Sequence, residues 1–194
     1  MKKMIFATNN AHKLREVRAM MPDGTNLVGL PDLHFSGDLP ETADTLEGNA
    51  LQKARFVSHT FGHDCFADDT GLEVTALDGR PGVHSARYAG DTCNSLANIY
   101  KLLDELSDKS DRSARFRTVI ALILDGEEYL FDGAVNGHII DTLRGGGGFG
   151  YDSVFVPVQH VQTFAELGDE VKNTISHRAR AVAKLAGFLS LRKN

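Results

Sequence analysis

Phe66-Ala67-Asp68-Asp69-Thr70-Gly71-Leu72-Glu73-Val74 sets two adjacent carboxylates directly after an apolar run, follows them with a hydroxyl and a glycine, and then resumes a strand-like pattern. Asp, Thr and Gly are turn formers, so the stretch reads as a turn between two strands. A turn there presents its acids at the end of a sheet. Were the strand to continue instead, neighbouring residues would point to opposite faces, and Asp68 and Asp69 could not share one role.

Upstream, Lys3 to Thr8 is short and apolar and reads as a strand. Asn9-Asn10 can cap a helix over Ala11 to Met21, in which Leu14, Val17, Met20 and Met21 recur at helical spacing, and Pro22-Asp23-Gly24 stops it. Strand, polar turn and helix N-terminus together make an anion site, because the first backbone N–H groups of a helix lack partners. Lys13 falls in that first turn; an ordinary corner with a solvated lysine is the plainer alternative. Leu27 to Leu30 is a second short strand, and Pro31 to Pro40 is irregular. Glu41-Thr42-Ala43-Asp44 is an acidic loop, solvated on its own evidence. Thr45 or Asn49 can cap a helix through Leu51, Ala54, Phe56 and Val57 that Gly62 ends, with Lys53 and Arg55 on other faces.

Downstream, Glu73 to Leu77 continues as strand and Asp78-Gly79-Arg80-Pro81-Gly82 turns. Asn94 or Ser95 opens a helix through Ile99, Leu102, Leu103 and Leu106, and Asp104 to Arg117 alternates in sign and reads as solvated. Val119 to Leu124 is the most apolar run, a central strand. Asp125-Gly126 is a two-residue hairpin signal. Glu128 to Phe131 and Ala134 to Ile140 complete an antiparallel meander. The glycine run from Gly145 is by default a flexible linker, but it holds Phe149 and Tyr151, flat faces suited to a base, where glycine lets backbone approach a ligand. Val154 to Pro157 is strand, Phe164 to Leu167 a short helical turn, and Asn173 or Ser176 caps a last helix. His177 and Arg178 then sit in its first turn, where positive charge opposes the helix dipole; a bound anion or a nearby carboxylate would relieve that conflict equally well.

The chain has 194 residues, 42% hydrophobic and 24% charged, enough for one sizeable core or two small lobes. No apolar stretch is long enough to span a bilayer. The start Met1-Lys2-Lys3-Met4-Ile5-Phe6 is basic, but its apolar run stops too soon for a signal peptide, which places the protein in the cytoplasm. Cys65 and Cys93 lie far apart, and the eight histidines form no metal-binding spacing. A net charge of −5 argues against nonspecific nucleic-acid binding, yet suits a polyphosphate held by a local basic cluster and a divalent cation.

Six ordered stretches resemble one family. They are Thr8-Asn9-Asn10-Ala11-His12-Lys13-Leu14-Arg15-Glu16, Asn49-Ala50 with Lys53-Ala54, Ala67-Asp68-Asp69-Thr70-Gly71-Leu72, Pro81-Gly82 with Ser85-Ala86-Arg87-Tyr88, Gly148-Phe149-Gly150-Tyr151-Asp152 with Phe155 and Pro157, and Lys172-Asn173-Thr174-Ile175-Ser176-His177-Arg178. The chain is similar over nearly its whole length to the noncanonical purine nucleoside triphosphate pyrophosphatases, also called inosine or xanthosine triphosphatases. Gly48 stands where many members carry Glu, Thr70 replaces the commoner Ser, and Ser153 the commoner Pro.

The resemblance implies a single α/β domain over residues 1–194, a long twisted mixed sheet flanked by helices, in two lobes with a central cleft. It implies a homodimer, Mg2+, and hydrolysis of ITP, dITP and XTP to the monophosphate and pyrophosphate. By resemblance Glu41 and Asp69 are the metal carboxylates and Asp69 also takes the proton of the attacking water, while Asp68 supports the loop. The triphosphate would lie along Thr8, Asn9 and Asn10, next to Ala11 and His12, with Lys13, Lys53 and Arg87 as counter-charges and Thr70 adding a hydroxyl. The base would stack on Phe149, beside Gly150 and Tyr151, and Asp152, Lys172, His177 and Arg178 match nucleoside contacts. Two other readings are a nucleotide-binding sensor without turnover and a hydrolase of modified pyrimidine triphosphates.

Overall fold

The computed structural model describes residues 3–22 and 24–192. Asp23 of the expected helix stop, and Met1 and Lys2 of the basic start, lie outside the described residues. The elements in order are β1 (Met4–Phe6), α1 (Ala11–Met20), β2 (Leu27–Gly29), α2 (Leu46–Phe61), β3 (Cys65–Val74), β4 (Pro81–Gly82), α3 (Ser95–Glu105), β5 (Ser113–Leu124), β6 (Glu127–Ile139), β7 (Phe155–Pro157), α4 (Phe164–Ile175) and α5 (His177–Leu191). Side-chain caps start the helices where the sequence put them. Asn10 accepts from the amides of His12 and Lys13, Thr45 from Gly48 and Asn94 from Ala97. Asn49 lies inside α2 rather than at its cap. No helix among the described residues is long and apolar enough to cross a membrane.

Seven strands form a mixed open sheet, flanked by helices, in the order β2-β1-β3-β5-β6-β7, with β4 paired on β3. β1 runs parallel to β2 and β3, so α1 and α2 serve in the crossovers that parallel strands require. β4 lies antiparallel on β3, and β7 antiparallel on β6. Asp125 and Gly126 both take positive φ, 51° and 84°, as a two-residue hairpin between β5 and β6 demands.

Four expectations need correction. No turn interrupts Phe66 to Val74: β3 is one strand of ten residues. Its backbone pairs on β1 at its start and on β4 near its end, so ladder bonds override the turn preference of Asp-Thr-Gly. β5 begins at Ser113, inside the stretch read as solvated; Ala114 and Phe116 are buried between exposed Ser113 and Arg115, a two-residue alternation masked by charge. The two strands expected at 128–131 and 134–140 are a single strand, β6, of 13 residues. Finally, Phe164 does not start a mere turn. A capping box of Thr163 and Glu166 opens α4, Gly168 (φ 76°) breaks the helical path, and the helix resumes to Ile175, so Asn173 lies within it and Ser176 closes it.

The chain divides into two compact units, one of residues up to Asp69, Thr118–Gly133 and Arg178 onwards, the other of Thr70–Arg117 and Ala134–His177. Each has its own core. In the first, Met4, Phe6 and Phe66 pack with Leu14 and Val17 of α1, Ile120 and Leu122 of β5, and Val182 and Leu185 of α5. Phe6 and Phe66 stack at 4.7 Å between centroids. In the second, Leu72, Val74, Leu102, Leu106, Phe116, Val135, Ile139, Phe155 and Phe164 are buried together.

Gly137 fixes how tightly β6 meets β7. It stands opposite Pro157, and a Cβ there would come within 2.3 Å of the Val156 carbonyl oxygen and 2.5 Å of the Phe155 ring. Gly137→Ala is expected to lower unfolding stability by about 1–3 kcal/mol, the usual cost of overpacking, measured by denaturant titration. An unchanged midpoint would show that the pair yields without cost.

Candidate active site

β1 ends at Phe6, and the Ala7 amide makes one more bond, to the Phe66 carbonyl at 2.8 Å. β3 runs on past that end with Ala67, Asp68 and Asp69. The strand alternation then sorts its side chains. Cys65, whose thiol meets the Ala54 carbonyl of α2 at 3.1 Å, and Asp69 point one way. Phe66 and Asp68 point the other, towards α1 and α5. The adjacent carboxylates therefore build two clusters.

Asp68 is 1% exposed and faces two cations, Lys13 Nζ at 2.9 Å and Arg178 Nε at 3.1 Å. Burial opposes its ionisation, but Lys13 and Arg178 override that and hold its carboxyl well below the usual carboxylate range. Burial in turn draws the Lys13 ammonium below its ordinary pKa. Arg178 Nη1 also donates to the buried carboxylate of Glu16. The conflict of a positive charge at the start of α5 is thus met by carboxylates of this chain.

Asp69 meets Lys53 Nζ at 3.0 Å through Oδ1 and the Asn49 amide at 3.2 Å through Oδ2. Lys53 Nζ also donates to Glu41. Lys53 was expected off the buried face of α2, yet it lies on it, with Leu46, Asn49, Ala50, Ala54 and Val57. The Glu41–Asp44 loop is exposed at Glu41, Thr42 and Asp44, as expected, and it is also strapped to α2. Asn49 Oδ1 accepts from the Ala43 amide at 2.9 Å, and Gln52 accepts from the Thr42 amide at 2.9 Å and donates to the Thr42 hydroxyl at 2.9 Å. Burial lifts the Asp69 carboxyl above the ordinary value despite Lys53 and Lys13, with Glu41 adding to the rise. Burial lowers Lys53, but Asp69 and Glu41 more than compensate and raise it.

Before α1, the loop satisfies several of its own donors. Thr8 Oγ1 accepts from the Asn10 amide at 3.1 Å, Asn10 Oδ1 takes the amides of His12 and Lys13, and Asn9 Nδ2 donates to the Gly37 carbonyl at 2.9 Å. The amides of His12 and Lys13, expected to lack partners, are capped. His12 Nδ1 lies 3.1 Å from Arg15 Nη2, and Asn9, Asn10, Ala11 and His12 are exposed.

The second unit holds another constellation. Asp152 Oδ2 accepts from the Phe149 amide at 2.8 Å and from Lys172 Nζ at 2.6 Å. That ammonium also stands 4.6 Å from the Phe149 ring centroid. Gly148 makes this possible: its φ is 72°, and a Cβ would collide with the Asp152 carboxylate at 2.3 Å. His177 is buried and stacks on Phe116 at 4.7 Å. Tyr151 was expected to offer a face to a base, but it is 4% exposed in the core, its hydroxyl donating to the Ser85 carbonyl at 2.8 Å. Gly150 follows Phe149 with φ 60°, Thr70 is half-buried, and Arg87 is exposed in the turn Ser85–Arg87.

Among the described residues, no three His, Cys, Asp or Glu side chains converge as a metal cage. Mg2+ does not need one, since it takes one or two carboxylates and completes its shell with water and phosphate oxygens. Glu41 and Asp69 already gather hard oxygen donors around one positive charge, that of Lys53, so the donor set fits such an ion.

Glu16 and Asn49 stand in the motif stretches, but the sequence assigned neither a part in the site. Glu16 stands three residues after Lys13, a helical spacing that puts both on one side, but its partner Arg178 is 162 positions away. Asn49 stands four before Lys53, and its amide meets both Asp69 and the Glu41 loop. The i, i+4 spacing was the available signal.

Residues 4–188 match the model of the Ham1 family. A dITP/XTP pyrophosphatase of Porphyromonas gingivalis is 57% identical over 97% of this chain and 98% of its own length. One of Flavobacterium johnsoniae is 50% identical over 98% of this chain and 100% of its own. The solved structure of the Staphylococcus aureus Ham1 protein superposes with a TM-score of 0.89 at 40% identity, covering 98% of this chain and 100% of that one. Sequence, fold and length agree, and the chain belongs to the Ham1 family.

Proposed function

We propose that this protein is a Mg2+-dependent hydrolase that cleaves dITP, ITP and XTP to the monophosphate and pyrophosphate, clearing deaminated purines from the nucleotide pool. The observation that carries the reading is the pairing of Asp69 with Glu41 on one buried ammonium, Asp69 being the more basic of two neighbouring carboxylates. The relatives named dITP/XTP pyrophosphatase support the substrate class.

Glu41 and Asp69 would hold the divalent ion, which when bound neutralises phosphate charge and makes water more acidic. Asp69 takes the proton of the attacking water. Its raised pKa suits a base, while Asp68, held acidic by two cations, has no such capacity. Lys53 and Lys13 neutralise the polyphosphate, with Thr8, Asn9, Asn10, Ala11 and His12 presenting the loop that meets it; Arg87 and Thr70 are the further counter-charge and hydroxyl that the family resemblance implies. Positioning and electrostatics are most of what such chemistry needs.

Phe149 stacks on the base, Gly150, Asp152, Lys172 and His177 shape and contact the nucleoside, and Tyr151 supports this loop from the core through its bond to Ser85. Arg178, pre-oriented by Asp68 and Glu16, belongs to the same recognition. A fixed donor favours the 6-carbonyl of hypoxanthine and xanthine and is left unpaired by the amino group of adenine. Guanine shares that carbonyl, so its rejection rests on the 2-position.

With Mg2+, ITP, dITP and XTP are expected to turn over fast, ATP and GTP far more slowly, with pyrophosphate as first product by ion chromatography. Equal rates on all five, or orthophosphate first, would overturn the reading. Asp69→Asn should reduce turnover by at least about 100-fold, the lower range for a general base, while nucleotide binding measured by calorimetry survives. Phe149→Ala should raise KM for ITP by roughly 5- to 150-fold, from lost stacking of about 1–3 kcal/mol, with kcat little changed. An unaltered KM would remove Phe149 from base recognition.

A further inference from the structure

We propose that Asn49 is a positioning residue for the hydrolytic centre. Its side-chain amide fixes the carboxylate of Asp69 and the loop of Glu41 in one mutual arrangement, and so sets the geometry in which both meet a divalent cation. This deepens the proposed function and rests on it for the roles of Glu41 and Asp69.

The geometry is specific. Asn49 is 3% exposed on the inner side of α2. Its Nδ2 donates to Asp69 Oδ2 at 3.2 Å, and its Oδ1 accepts from the Ala43 amide at 2.9 Å, two residues after Glu41. Lys53, one turn further along the same face, binds the other oxygen of Asp69 and the carboxylate of Glu41. Two rungs of one helix thus tie one strand residue to one loop. They differ chemically. Lys53 contributes positive charge, which a divalent ion can replace. Asn49 is neutral and spends its amide on both partners at once, so its effect is directional. A buried amide with both ends bound is held rigidly, because turning it leaves a donor and an acceptor unpaired. A hydrophobic residue at this inner position would suit helix packing equally well, so packing does not account for the amide.

Two substitutions separate the two ends. Asn49→Leu keeps the size and loses both bonds. Asn49→Asp keeps the acceptor for Ala43 and replaces the donor to Asp69 with a like charge. Thr45→Ala serves as a control, weakening the same helix at its cap without touching Asp69 or Ala43. Three quantities are read: kcat and KM for ITP, the melting temperature, and Mn2+ affinity by electron paramagnetic resonance on enzyme saturated with an α,β-methylene analogue of ITP.

Asn49→Leu is expected to lose roughly 10- to 100-fold in kcat and in Mn2+ affinity, the usual effect of removing a residue that orients a ligating carboxylate, with KM for ITP near the wild-type value. Asn49→Asp should lose kcat to a similar extent although its loop strap remains. Thr45→Ala should lower the melting temperature and leave kcat and Mn2+ affinity unchanged. Wild-type kcat and Mn2+ affinity in Asn49→Leu would overturn the proposal. So would wild-type kcat in Asn49→Asp, or losses in Thr45→Ala that match those of Asn49→Leu. Failure of the wild-type enzyme to hydrolyse ITP, dITP or XTP would instead strike the proposed function, and the Mn2+ comparison would still decide what Asn49 does.

Discussion

Because β3 does not turn, its two successive carboxylates must leave opposite faces of the sheet, and each must find its own partners. An ionised carboxylate buried without a partner costs several kcal/mol, so neither of these buried groups can be left to hydrocarbon. That single backbone constraint determines much of the first unit. Asp68 requires cations on the side of α1 and α5, and Lys13 and Arg178 supply them. Asp69 requires donors on the side of α2, and Lys53 and Asn49 supply them. The three helices are thereby registered against one short segment of strand, with apolar packing of Phe66, Leu14, Val17 and Val182 alongside.

The same constraint divides the chemistry. Two residues of identical type, one bond apart along the chain, titrate in opposite directions because their surroundings differ in count of charge. Asp68 is bound directly by two cations, one of them, Arg178, shared with Glu16, and gives up its proton readily. Asp69 is bound directly by one ammonium that it shares with Glu41, so burial prevails over Lys53 and Lys13 and its basicity rises. Spare basicity and a second nearby carboxylate occur together only on the Asp69 side. The proposed proton acceptor and divalent ion are both placed there for that reason, and Asp68 holds Lys13 and Arg178.

Local features were legible where their cause was local. Asn10, Thr45 and Asn94 cap helices because a short polar side chain reaches amides two or three residues on, and Asp125-Gly126 closes a hairpin because two successive positive φ angles suit those residues. The motif order led to the family, which the Ham1 match over residues 4–188 bears out. What failed was everything set by distant partners. Asp68-Asp69-Thr70-Gly71 carries turn propensity, yet flanking strands hold it extended. Lys53 looked like a surface residue because the carboxylates that bury it lie 12 and 16 positions away. Tyr151 looked like a platform beside Phe149, but the carbonyl it binds is 66 positions away at Ser85.

In the second unit a single ammonium is used twice. Lys172 neutralises Asp152 and lies over the ring of Phe149, while Asp152 in turn holds the Phe149 amide. Ring, backbone and charge are therefore fixed by one another, through a glycine that no other residue could replace at a φ of 72° against the Asp152 carboxylate. An aromatic side chain that remains partly exposed would otherwise sample several rotamers and lose that freedom on stacking with a ligand. With the ammonium 4.6 Å from the ring centroid, the ring's orientation is set by this chain's own groups. Selectivity for a purine base would then rest on hydrogen bonds made around an already rigid platform, the arrangement in which an unmatched group on the wrong base is most costly.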